Sequence, residues 1–66
     1  METLGDALPR EQARCRELLV FYREIGPAGA FGAARIDDAL KRADQAVING
    51  DLAAMIRVYQ EMREFE

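Results

Sequence analysis

At 66 residues, nine of them Lys or Arg and twelve Asp or Glu, the chain carries a formal charge of −3 and makes at most one domain. One cysteine, Cys15, and no histidine exclude an intramolecular disulfide and the usual Cys/His zinc site. The acidic balance argues against nucleic-acid binding by phosphate neutralisation. A chain this short buries only about 60% of its unfolded surface, so a homodimer is the expected route to a sufficient core.

Residues 1–8 read as a flexible head. The start, METLGDALP, shows neither a basic segment nor an apolar run of signal-peptide length. No 18-residue apolar stretch elsewhere could span a bilayer. With the lone cysteine, this gives the expectation of a cytoplasmic protein without membrane contact.

The first helix is expected to begin at Pro9, whose fixed φ and missing N–H suit the first helical position, and to run to Ile25. Successive helical residues lie about 100° apart, which gathers Cys15, Leu18, Leu19, Phe21, Tyr22 and Ile25 on one face. The run LLVFY also fits a short strand, but its flanks extend the helical period well past strand length. Arg10, Arg14, Arg16 and Arg23 alternate with Glu11, Glu17 and Glu24, a mixed solvated face and not a basic stripe.

The stretch REIGPAGAFGAARI, residues 23–36, poses a choice between a phosphate-binding loop and a turn. Its glycines are spaced G-x-x-G-x-x-G, not G-x-G-x-x-G, and no Lys, Ser or Thr completes a P-loop. The reading is a turn. Gly26 and Pro27 end the first helix, Gly29 and Gly32 let two helices touch, and Phe31 is expected to plug the corner. A second helix, from Ala30 or Gly32 to Ile48, places Ile36, Leu40, Ala43 and Val47 on an alanine-rich stripe. Asn49-Gly50 then bends or breaks the chain, with Asp51 suited to cap a last helical stretch. That stretch puts Leu52, Met55, Ile56, Tyr59 and Met62 on one side.

Candidates for chemistry are few. Cys15 has arginines on both sides but no histidine base, and its apolar face marks it as a small buried hydrophobe. Asp37 and Asp38 point about 100° apart and do not converge on a cation. Glu61, Glu64 and Glu66 oppose the helix dipole at an exposed end. A helix-turn-helix about residues 48–51 offers only Arg57 and Arg63 to DNA. No catalytic residue, cofactor or metal ligand is expected, and the chain reads as no enzyme.

Two resemblances attach to these residues. ALKRADQAVINGDLAAMIRVYQEM, residues 39–62, resembles the helical hairpin of a tetratricopeptide-type repeat, without its first-helix Trp-x-x-Leu-Gly pattern; such units need about three copies to bury their faces. YREIGPAGAFGAARI with GDLAAMIRVYQEM resembles small helical proteins of bacteriophages and prophages. In length and helical layout these include quorum-sensing anti-activators. That resemblance implies a small non-enzymatic helical dimer that inhibits a host transcription regulator, and it carries no site residues over.

The expectation is therefore an all-α antiparallel helical hairpin, its second arm interrupted at Asn49-Gly50 and its core completed by a homodimer. The dimer or core seam is expected from Cys15, Leu18, Leu19, Tyr22 and Ile25, with Ile36, Leu40, Val47, Leu52 and Ile56. Phe21, Phe31, Met55, Tyr59 and Met62 are the candidates for contact with a protein partner, such as a host regulatory protein. A phage-particle structural or assembly component, or a weak DNA-binding regulator, is the alternative.

Overall fold

Chemistry at two turns sets the fold. In the computed structural model, which describes all of residues 1–66, helices α1 (Leu4–Ile25), α2 (Ala30–Asn49) and α3 (Leu52–Arg63) succeed one another without a strand. A single 3₁₀ turn, Pro27–Gly29, joins the first two. The protein is all-α, an antiparallel α1–α2 hairpin with α3 folded back on it.

The interruption at Asn49-Gly50 is a full break. Gly50 adopts φ 63°, the left-handed conformation that costs glycine nothing. Its N–H donates to the Val47 carbonyl at 3.1 Å and the Asp51 N–H to the Ala46 carbonyl at 3.0 Å, a Schellman closure of α2. The Asp51 side chain then accepts from the Ala54 N–H at 3.1 Å and caps α3, as its position predicts.

The start of α1 differs from the expectation. The helix begins at Leu4, not at Pro9, so most of residues 1–8 is helix and not a loose head. Thr3 caps it: the Asp6 N–H donates to Thr3 Oγ1, and the Thr3 N–H donates back to Asp6 Oδ2, each at 3.3 Å. Leu8 is consequently part of the core. Pro9 sits inside the helix on its exposed side, where its missing N–H costs only the bond to Gly5.

The core runs along the three-helix seam: Leu8, Cys15 and Leu19 from α1, Ile36, Leu40 and small alanines from α2, Val58 and Met62 from α3. Ala39 and Ala43 are fully buried, which brings the neighbouring helices close. Polar ties fix the flanks. Gln12 donates to Asp44 at 2.9 Å and joins α1 to α2. Arg42 bridges Asp38 and Glu61 and joins α2 to α3. At 12 residues against 20, α3 spans roughly 18 Å of a partner helix of roughly 30 Å. It leaves the Gly26 end of the hairpin partly uncovered.

Candidate functional site

The glycine corner is a packing device. A Cβ on Gly29 would lie 2.1 Å from the Tyr22 carbonyl oxygen, and one on Gly32 3.0 Å from the Tyr22 ring. These glycines admit Tyr22 between the helices, as the turn reading requires. Phe31 does not plug that corner. Its side chain is 77% exposed, because in the first turn of α2 it projects beside Arg35 toward the outside of the bundle.

The end of α3 is held by side chains of α1. The Arg14 guanidinium donates to the Met62 carbonyl at 2.7 Å and the Phe65 carbonyl at 2.9 Å, satisfying acceptors that a helix terminus leaves open. Glu11 accepts from Arg14 Nε at 2.8 Å, and this hydrogen bond, ahead of a smaller opposing loss of hydration, holds the guanidinium pKa above its usual value. The Tyr22 hydroxyl donates to the Glu66 carbonyl oxygen. Phe65 then lies under Arg35, whose guanidinium carbon is 5.5 Å from its ring and 6.0 Å from that of Phe31. The result is an aromatic–arginine–aromatic stack on the surface, with Phe65 half-buried.

The remaining candidates for chemistry are structural. Cys15 is fully buried, and burial, opposed in part by Arg14, pushes its thiol pKa up, which keeps it protonated and unreactive. No group of three or more His, Cys, Asp or Glu side chains stands close enough to share a metal ion. A cleft of about 340 Å³ between α2 and α3 is lined by Arg42, Gln45, Asn49, Asp51 and Arg57. Most of its polar groups already have hydrogen-bond partners: Gln45 donates to Asn49, Arg42 to Asp38 and Glu61, and Asp51 accepts from the α3 backbone. No helix is long and apolar enough to cross a membrane.

What stands out is exposed apolar surface. Large hydrophobic side chains other than Met1 are exposed at eight positions, and they divide evenly between the two turns. Val20, Phe21, Ile25 and Phe31 lie within six residues of Gly26; Val47, Ile48, Leu52 and Ile56 lie within six of Gly50. The turns stand at opposite ends of a molecule 37 Å long.

The sequence-predicted residues distribute accordingly. Cys15, Leu19, Ile36 and Leu40 are in the core, and Leu18 and Tyr22 pack against it. Ile25, Val47, Leu52 and Ile56, expected in the seam, lie outside the chain's own core. Of the expected contact residues, Phe21 and Phe31 are exposed, while Met55 and Tyr59 are half-buried against the core. Met62 is corrected: it is fully buried. Its neighbour in phase, Val58, escaped the sequence reading, as did Leu8. The inward edge of α3 is Val58–Met62, and Leu52 and Ile56 lie off it. Comparison with protein-family models, curated proteins and solved structures gives no match for this chain.

Proposed function

We propose that this chain is a non-enzymatic protein–protein interaction module: a small cytoplasmic regulator that inhibits a partner by occupying its surface. The observation that carries the reading is the stack of Phe31, Arg35 and Phe65. Aromatic residues and arginine are enriched at protein–protein interfaces and at their binding hot spots. Here Arg35 keeps Phe31 extended from the bundle, where it contributes little to the fold. An exposed phenyl ring set beside a second one across Arg35 forms a patch, and exposed apolar patches mark interaction sites. The resemblance to small phage proteins supports, as the partner in this reading, a host regulatory protein such as a transcription regulator.

The test is affinity capture of the tagged chain from nuclease-treated host lysate, beside a Phe31→Asp variant checked for unchanged helix content. A stoichiometric protein held by the natural chain and lost from the variant is expected. Recovery of nothing but the chain itself, or of material that depends on nucleic acid, would overturn the reading. One observation favours the structural alternative: apolar groups at both ends suit end-to-end growth. Assemblies that lengthen with concentration would identify it.

A further inference from the structure

Four of the seven exposed apolar residues outside the Phe31 stack, namely Phe21, Ile25, Leu52 and Ile56, are arranged for a second copy of this chain. We infer that two chains pair antiparallel across the face formed by α1 and α3, about a twofold axis. Phe21 and Ile25 of each chain then cover Leu52 and Ile56 of the other.

Contacts of Arg14 and Arg42 fix the placement. Arg14 reaches Met62 and Phe65, so the Arg14 flank of α1 lies beside α3. One turn and more along that flank come Leu18, then Phe21 and Ile25, beyond the point where α3 ends. On α3, Glu61 meets Arg42, which assigns that flank to α2. The other flank, with Leu52 and Ile56, overlooks α1. Both apolar pairs therefore share one face of the molecule and stand at opposite ends of it.

A twofold axis maps residue i onto j and j onto i. Lying in this face, at its middle and at right angles to the line that joins the two pairs, the axis brings each pair against the other pair of the second copy, twice over. A partner copy supplies what is missing at each: an α3 edge for the uncovered hairpin and a hairpin edge for the bare α3.

The areas agree. A monomer of 7.4 kDa is expected to expose about 4,200 Å², whereas this chain exposes 4585 Å². The four side chains offer on the order of 300 Å² of apolar surface per chain. With a polar rim of ordinary proportion the complex hides about 1,000 Å² in total, the lower bound for a specific interface. The dimer is thus one that dissociates on dilution within a measurable range.

Sedimentation equilibrium over a concentration series, combined with disulfide trapping, tests this. Fully buried Cys15 stays out of the trapping reaction. Mixing Phe21→Cys chains with Leu52→Cys chains should give a covalent pair, and either variant alone should give little. The double variant, Phe21→Cys with Leu52→Cys, should stop at a covalent dimer. Self-linking of Phe21→Cys would overturn the antiparallel arrangement, and a ladder from the double variant would overturn the closed twofold.

Ile56→Glu, at an exposed position, should weaken dimerisation about 30-fold or more with helix content unchanged. Leu52→Ala provides a milder variant that leaves the fold intact. A natural chain monomeric at all concentrations would overturn the pairing. Capture that still depends on Phe31 would then leave the proposed function standing, so the two failures are separable.

Discussion

Gly29→Ala is the substitution for which the structure gives the sharpest expectation. In a helical or turn segment with ordinary φ, replacing glycine by alanine usually stabilises by up to about 1 kcal/mol, and Gly29 has φ −93°. The added methyl would stand 2.1 Å from the Tyr22 carbonyl oxygen, 3.0 Å from its carbonyl carbon and 3.3 Å from its Cα. All three are backbone atoms in the last turn of α1, so relief requires moving one helix off the other by about an ångström. Ordinary overpacking costs about 1–3 kcal/mol, and a backbone collision of this depth belongs at or above the top of that range. A domain of this size has only about 3–10 kcal/mol in total. Gly29→Ala should therefore lower the urea midpoint by a third or more, or prevent folding. Gly32→Ala gives the contrast, because its methyl would meet only the Tyr22 ring, at 3.0 Å. That ring can shift, so the change should be within about 1 kcal/mol of neutral. Combining each with Tyr22→Ala separates ring from backbone: the ring's removal should relieve Gly32→Ala and leave the Gly29→Ala penalty in place. Urea unfolding monitored by circular dichroism reads all of these. A Gly29→Ala protein as stable as the natural chain would refute the close-approach account of the corner.

The same contacts set other expectations. Met62→Ala should cost about 2–5 kcal/mol in urea unfolding at a dilution that holds the chain monomeric, as for other buried side chains, whereas Leu52→Ala should cost under about 1 kcal/mol. Arg14→Met removes a half-exposed donor from two carbonyls and should cost about 1–2 kcal/mol after discount for its exposure, with Arg14→Lys recovering little because an ammonium lacks the fork. Cys15 is held above its ordinary pKa of 9.0 mainly by burial. Its contribution is fully present below that pH and is lost as pH rises beyond it, since the unfolded chain ionises first. Thermal melts should thus fall more steeply above pH 9.0 for the natural chain than for Cys15→Ala. Pro9→Ala restores a donor opposite the Gly5 carbonyl and should raise stability by about 1 kcal/mol, the net worth of one hydrogen bond, in urea unfolding.

Local chemistry made the turns legible. Gly26-Pro27 and Asn49-Gly50-Asp51 act through backbone conformation and capping, which depend on the few residues involved, and each does what its residues imply. The start of α1 carried an equally local signal in Thr3-x-x-Asp6, outweighed by the preference of proline for a first helical position. A single proline near an N-terminus costs one hydrogen bond, and a capping box with Leu8 buried beyond it offsets that loss. The phase of α3 was not legible for a different reason. Leu52, Met55, Ile56, Val58, Tyr59 and Met62 spread apolar character over nearly half of the helix circumference. Only the positions of α1 and α2 decide that Val58 and Met62 point inward. The same reason moved Met62 from candidate contact to core and left Leu52 and Ile56 outside. Phe31 is exposed, but the arginine and second ring beside it were not legible, since Arg35 and Phe65 are brought together only by the return of α3.

The central claim is that Phe21, Ile25, Leu52 and Ile56, exposed at the two turns, are covered by a second copy of the chain. Methyl nuclear magnetic resonance spectra of the natural chain, recorded from micromolar to millimolar concentration, test it most directly. The account predicts that the methyl signals of Ile25, Leu52 and Ile56 move together with concentration, while those of Leu8 and Ile36, fully buried in the core, stay fixed. Signals that hold constant at all five positions, with the chain a monomer throughout, would contradict it.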